Sequence, residues 1–293
     1  MLVPSLIVVL ALASTPEPSR ARAIERMNEG VALARSFETA EAEQALREAI
    51  RLDPGLAHAW LNLGHLQLRT KRPDAAAISF GKGLEVAEGA IATELHLQLG
   101  LLLHAAARGP QPDHQRKATL ETALVHLQAA VQGEPHLAFV HVAIGEAHEG
   151  LDQPAEADAA HRRAIAADPT FVPAFVALGN LHIDHGHHNL GIAVLEVGTQ
   201  INDGDARAFA GLGRGMATLE RHREAIAAFE RALRLDPRDH ELLFRLGTSH
   251  AELGELRAAL ERLAAFLERA GPGASESMVR QARDTIARIQ DVI

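Results

Sequence analysis

Trp60-Leu61-Asn62-Leu63-Gly64-His65-Leu66-Gln67, followed by Ala76, Phe80 and Gly83, decides the fold of this chain. Small residues at Gly64 and Ala76 let two helix backbones approach, while Trp60, Leu63 and Phe80 fill the space on either side. Working outward, Gly64 belongs to a comb: Gly30, Gly64, Gly145, Gly179, Gly213 and Gly247 fall at intervals of 34, 81, 34, 34 and 34 residues. The interval of 81 hides one repeat with an insertion. Leu52-Asp53-Pro54, Ala167-Asp168-Pro169 and Leu235-Asp236-Pro237 each close an apolar stretch, and the last two prolines lie 68 residues apart, twice the period. Proline lacks an amide hydrogen and disfavours helical geometry in the residue before it, so each helix pair must stop there.

The pattern returns with Phe209, Leu212, Gly213, Met216, Ala225, Phe229, Ala232 and Pro237. On these residues the chain resembles the tetratricopeptide repeat family. The resemblance implies an all-α fold, a right-handed α-solenoid of about seven helix pairs, each with a helix A and a helix B. The register gives repeats at 23–56, 57–90, 93–137, 138–171, 172–205, 206–239 and 240–273. Gly30, Ala42, Leu46, Ala49 and Pro54 mark the first; Ile144, Gly145, Ala157, Ala164 and Pro169 mark the fourth. The third keeps Leu99, Gly100, Ala123, Leu127, Ala130 and Pro135, with an insertion near 106–117 around Arg108-Gly109-Pro110-Gln111-Pro112-Asp113 that is a second candidate contact loop. Gly191 and Gly198 replace alanine in helix B of the fifth, at about 1 kcal/mol each, which makes that repeat an expected soft point. Beyond it, residues 274–293 read as an amphipathic capping helix with Ser275 as N-cap and Met278, Ala282, Ile286, Ile289 and Ile293 on one face.

The 293 residues are 47% hydrophobic but only 3% aromatic, without tyrosine, which favours helices over strands. A formal net charge of -9 with scattered basic residues supplies no positive stripe, so nucleic acid is excluded as an expected partner. The absence of cysteine rules out disulfides, thiolate metal sites and a thiol nucleophile. Leu6 to Ala13 form a short apolar run ending Ala11-Leu12-Ala13, a small-x-small pattern without a preceding Lys or Arg. It reads as a signal peptide over 1–13, followed by a linker over 14–22, and places the protein in the periplasm or outside the cell; a membrane-anchored or cytoplasmic chain is the alternative. The run is too short to span a bilayer as a helix.

No catalytic motif survives inspection, and the expectation is a protein without enzymatic activity or cofactor. His148-Glu149 and His240-Glu241 begin like zinc-protease patterns, but Asp152 and Phe244 stand where the second histidine is needed. Gly211-x-Gly213-x-Gly215 lies inside a helix A rather than after a strand, with no P-loop lysine. Among 17 histidines, His182, His185, His187 and His188 are the densest group and the alternative reading is a metal site with Asp184 adding oxygen. Against it, His182, like His148 and His250, takes the place where the family usually has tyrosine, and the others fall in a turn.

In the family the A helices line a concave groove, and its positions carry over to Asn62, His65 and Arg69 in the second repeat, Asn180 in the fifth, Arg207 and Arg214 in the sixth and Arg245 in the seventh. Glu94, Gln98 and His104 follow in the third, Phe139, Val142, Glu146 and Glu149 in the fourth, so the wall is expected to run from mixed through acidic to basic. The carboxylate-gripping set of Lys, Arg and Asn known in some members is incomplete, with Gly211 and Glu241 at two of its places. The expected function is a scaffold that binds a partner protein or peptide in that groove during assembly in a bacterial envelope. An accessory, substrate-recruiting subunit of an enzyme system is the alternative.

Overall fold

The computed structural model describes residues 18–271 and 274–292; the signal-peptide reading of 1–13 lies outside the described residues. Every regular element among them is an α-helix. In order these are α1 (Pro18–Arg35), α2 (Thr39–Leu52), α3 (Ala57–Arg69), α4 (Pro73–Leu84), α5 (Gly89–Ala107), α6 (Asp113–Gly133), α7 (Ala138–Gly150), α8 (Pro154–Ala167), α9 (Val172–Asp184), α10 (His188–Ile201), α11 (Ala206–Thr218), α12 (His222–Leu235), α13 (His240–Glu252), α14 (Leu256–Arg269) and α15 (Glu276–Gln290). The odd-numbered helices from α1 to α13 are A helices, the even-numbered ones are B helices, and the architecture is an α-solenoid. The chain divides into two compact units, one ending at Gln153 and the other beginning at Pro154, so that α7 belongs to the first and α8 to the second.

Inside each unit, a pair closes by seating a large side chain of helix B on the comb glycine of helix A. A Cβ built on Gly64 would lie 2.3 Å from Phe80 Cε1, and one on Gly213 would lie 2.4 Å from Phe229 Cδ1. Leu46 on Gly30, Leu127 on Gly100, Leu195 on Gly179 and Leu263 on Gly247 repeat the contact. The alanine four residues before the large side chain is completely buried at Ala42, Ala76, Ala123, Ala225 and Ala259. Where the fifth repeat has Gly191 instead, a Cβ would meet the Gly179 carbonyl oxygen at 2.5 Å. That glycine therefore serves close approach of α9 and α10, a packing term that opposes the weakness expected from helix propensity.

The ends of the B helices carry a device beyond proline. The aspartate before it accepts a backbone hydrogen bond from two residues on: Gly55 N donates to Asp53 Oδ1 at 3.0 Å, Thr170 N to Asp168 Oδ1 at 2.8 Å and Arg238 N to Asp236 Oδ1 at 3.1 Å. Such Asx turns satisfy an amide that the finished helix cannot. Thr170 holds the Asp168 carboxyl below the usual carboxylate range. Between helices A and B a left-handed residue makes the corner at Phe37, Lys71, Asp152, Gly186, Glu220 and Gly254, with φ of 64°, 58°, 60°, 82°, 59° and 72°.

Three expectations change. Residues 18–22, read as linker, form the start of α1; Pro18 is tolerated because first-turn amides have no intrahelical acceptor. The insertion is not a long loop: α5 has 19 residues and α6 has 21, which absorb most of it and leave only 108–112 between them. At the C-terminus, α15 packs on α13 and α14 through Ala282, Ile289, Met278 and Ile286, but Ser275 makes no side-chain cap and its Oγ lies 3.1 Å from Ser277 Oγ.

One ion pair ties the first repeat to the second. Glu43, 9% exposed on α2, accepts from Arg72 Nη1 at 3.1 Å and Nη2 at 2.7 Å, with Arg47 Nη2 2.6 Å away. The Arg72 bonds, against the cost of burial and with help from Arg47, hold the Glu43 carboxyl below its ordinary value. Arg72→Met is expected to cost about 1–2 kcal/mol at pH 7, the lower part of the charged hydrogen-bond range because the guanidinium is partly solvated. Since the native carboxyl is the stronger acid, this stability is present above the unfolded glutamate value and is lost as pH falls through the lowered one. Urea midpoints at pH 7 and pH 3 should show the gap between wild type and variant closing in acid.

Candidate functional site

Inside each unit, successive A helices touch one another, whereas among the described residues successive B helices do not. The A helices therefore form the inner side of each unit's curve. The residues expected to line a groove there differ in their surroundings.

In the first unit, Asn62 and His65 are 0% and 1% exposed. His65 lies edge-on to Phe80, with centroids 5.6 Å apart and rings at 72°. These two belong to the packing of α3 rather than to an open wall, which corrects the reading of them as contact residues. Arg69 stays accessible, but its guanidinium sits 5.6 Å from the ring centre of Phe37, the exposed corner residue of the first repeat. Further along, Gln98 donates to Glu94 at 2.7 Å, and Glu146 of α7 is ion-paired with Arg108 and lies 3.4 Å from His104 Nε2. Burial pushes the His104 imidazole below its ordinary value; Glu146 opposes this and Arg108 adds to it. His104, Arg108, Arg116, Glu146 and Glu149 line an open cleft of about 400 Å³ beside α5, α6 and α7.

The second unit holds the basic residues, and each is already answered by a carboxylate. Arg214 donates through Nη1 to Asp184 Oδ1 at 2.9 Å and through Nη2 to Asn180 Oδ1 at 3.0 Å. Arg245 is paired with Glu241 one turn earlier, its Nε 3.0 Å from Oε1. Arg207 wraps the N-cap Asp205, with Nη2 to Oδ2 at 2.7 Å and its own amide to Oδ1 at 2.9 Å. Each of these arginines therefore has a carboxylate partner inside the chain, with which an acidic ligand would compete. Reasoning on single positions missed these partners. The Glu241–Arg245 spacing of four was a legible signal; Asn180 and Arg214 sit one period, 34 residues, apart and meet only when the repeats are stacked.

The histidine cluster does not converge. His182 is buried on α9 with Nε2 3.2 Å from Asp158 Oδ1, and its ring is 6.1 Å from that of His187, while His185 and His187 are exposed. His188 begins α10. Among the described residues no three His, Asp or Glu side chains are placed to hold a metal ion. His182 instead packs at the corner, as His148 and His250 do, their Nδ1 atoms 2.7 Å and 2.6 Å from Gln153 and Glu255.

Residues 27–90 and 210–275 match the family model described as tetratricopeptide repeat. The chain is similar to Superkiller complex protein 3 of Mus musculus, 25% identical over 80% of this chain but only 15% of that protein. Among solved structures, a tetratricopeptide repeat protein from Parabacteroides merdae superposes with a TM-score of 0.64 at 14% identity, covering 92% of this chain and 99% of that one. YrrB, described as a TPR protein with an unusual peptide-binding site, superposes with a TM-score of 0.52 at 20% identity over 68% of this chain and 96% of its own.

Proposed function

We propose that this chain, a tetratricopeptide repeat protein by its matched segments and its fold, is a non-enzymatic scaffold that holds a partner protein or peptide on the A-helix face of its first unit. The observation that carries the reading is α5. It is apolar enough, by length and composition, to cross a membrane, yet only 33% of that helical window is buried. Leu101 on α5 and Phe139 on α7 stay half-buried, and further along the same two helices His104, Glu146 and Glu149 line an open polar cleft. Partly covered apolar side chains with a polar rim suit a protein partner, whose binding energy concentrates in a few such contacts. The similar protein from mouse is named for a complex and YrrB for a peptide-binding site, which supports the same class of activity here. The short apolar run Leu6 to Ala13 supports an exported chain acting in envelope assembly.

The test is capture from native extract by the full chain, by Leu101→Asp, and by a variant carrying Asn180→Ala, Arg207→Ala, Arg214→Ala and Arg245→Ala, each checked for helicity. Leu101→Asp should weaken retention of the partner about tenfold or more, the loss of one interface hot spot. The second variant should retain it, because those arginines are internally paired. Loss by the second variant alone would move the site to the second unit, and full retention by both would remove the inner faces from consideration.

A further inference from the structure

The third repeat contains a contact that neither the groove reading nor the metal reading uses. His96 on α5 and His126 on α6 face each other across the helix pair, Nδ1 to Nδ1 at 2.9 Å, with ring centroids 5.1 Å apart. The centroids are about as far apart as two imidazoles can be with nitrogens at that distance, so the line joining the rings runs through both nitrogens. Two lone pairs aimed head-on do not converge on a third point, as ligation of a metal about 2 Å from each nitrogen would demand. One shared proton fits: a neutral imidazole presents one N–H and one bare nitrogen, so a single N–H donates to its neighbour.

Two charged rings cannot be accommodated. One added proton can go to the bare Nε2 of the donating ring and leave the bond intact, but when both rings are charged both Nδ1 atoms are donors and two positive charges lie side by side. The charged groups on the surrounding helices are engaged elsewhere: Lys82 of α4 with Glu85, Glu94 of α5 with Gln98, Arg116 of α6 with Asp113, and Glu146 of α7 with Arg108. Lys117 and Glu121 of α6 are exposed, and Arg69 of α3 covers Phe37. Burial pushes the His96 ring below its ordinary value, burial and then the His96 charge push His126 down, and no carboxylate raises either.

We propose that His96 and His126 form a proton-operated latch on the third helix pair, which holds α5 against α6 while a single proton lies between their Nδ1 atoms and releases it when both rings become charged. The direction follows from linkage. The unfolded chain binds protons at the ordinary histidine value, about 6.5, before the folded pair does, so the stabilisation is present above that value and is lost as pH falls through it towards the lowered one. His58 and His104 in the same unit are lowered by burial as well, so the acid response of the wild type includes theirs.

Hydrogen exchange of α5 and α6 amides in the full chain, at pH 7.5 and 5.0 with the intrinsic pH dependence removed, separates these contributions. Wild type should lose protection in both helices by about tenfold, the loss of one hydrogen bond between helices. His96→Gln with His126→Gln, which keeps an N–H···O bond across the seam, should lose several-fold less. Protection that is unchanged in acid, or that falls equally in the double variant, overturns the latch. Should the double variant not fold, titration of the ring nitrogens by NMR in the wild type decides. Two rings titrating in separate steps below the ordinary range support the proposal, and two rings titrating independently at the ordinary value overturn it.

Discussion

Phe80→Ala is expected to destabilise the first unit by about 3–5 kcal/mol, the upper range for emptying a fully packed site. Phe80 is 0% exposed, and its ring lies where a side chain on Gly64 would have to be, against the backbone of α3. His65 meets it edge-on, and Ala57, Leu61, Ala76, Leu95 and Leu99 complete the cluster that joins α3, α4 and α5. Gly64 has no side chain to move into the space and Ala76 is already at the seam, so the site can relax only in part. The single tryptophan, Trp60, lies one turn from Gly64 and donates its indole N–H to the Pro54 carbonyl at 3.1 Å, so its fluorescence follows this repeat directly. A urea titration read at Trp60 should show a midpoint far below that of wild type. A shift worth less than about 1 kcal/mol would mean that the ring does not seat on Gly64.

Gly191→Ala sets two effects against each other. Helix propensity alone favours alanine by up to about 1 kcal/mol at the end of the first turn of α10. The new Cβ, however, would lie 2.5 Å from the Gly179 carbonyl oxygen, 2.6 Å from Ile183 Cγ1 and 3.1 Å from the Ile183 amide nitrogen. Two of those atoms are backbone and cannot rotate away, so α10 must move off α9, and overpacking of this kind costs about 1–3 kcal/mol. The expected net effect is a loss of up to about 2 kcal/mol. Gly81→Ala on α4 is the control, since nothing lies within 4 Å of its Cβ and propensity acts alone. Urea unfolding should place Gly191→Ala below wild type and Gly81→Ala above it; stabilisation by both would show the α9–α10 seam to be loose.

The repeat register was legible because its cause is local: a glycine, an alanine and a large side chain at fixed offsets are the seam itself. What the sequence hid depended on neighbours one repeat away. Asn62 and His65 occupy positions that face a groove in the family, yet here α3 is closed over them by the packing of His65 on Phe80. Arg214 looked like free positive charge until stacking placed Asp184 and Asn180 against it. The His96–His126 contact joins residues 30 apart across the enlarged repeat, whose helices lengthened where Pro110 and Pro112 suggested a loop. The alanines at 105–107 and the helix-forming residues after Asp113 argued for extension, and that propensity prevailed over the short proline-bearing turn.

Four of the corners between helices A and B force a side-chain-bearing residue into left-handed backbone, at Phe37, Lys71, Asp152 and Glu220, where the fifth and seventh repeats use Gly186 and Gly254. Phe37, Lys71 and Glu220 each cost about 1 kcal/mol relative to an unstrained residue, and Asp152 less, because aspartate tolerates this region. The molecule therefore carries an unspent reserve, and its own sequence already contains the replacement that would release it. Sites this far apart act independently. A lineage under pressure elsewhere in the chain could draw on them one at a time, so that drift at the corners underwrites innovation on the faces.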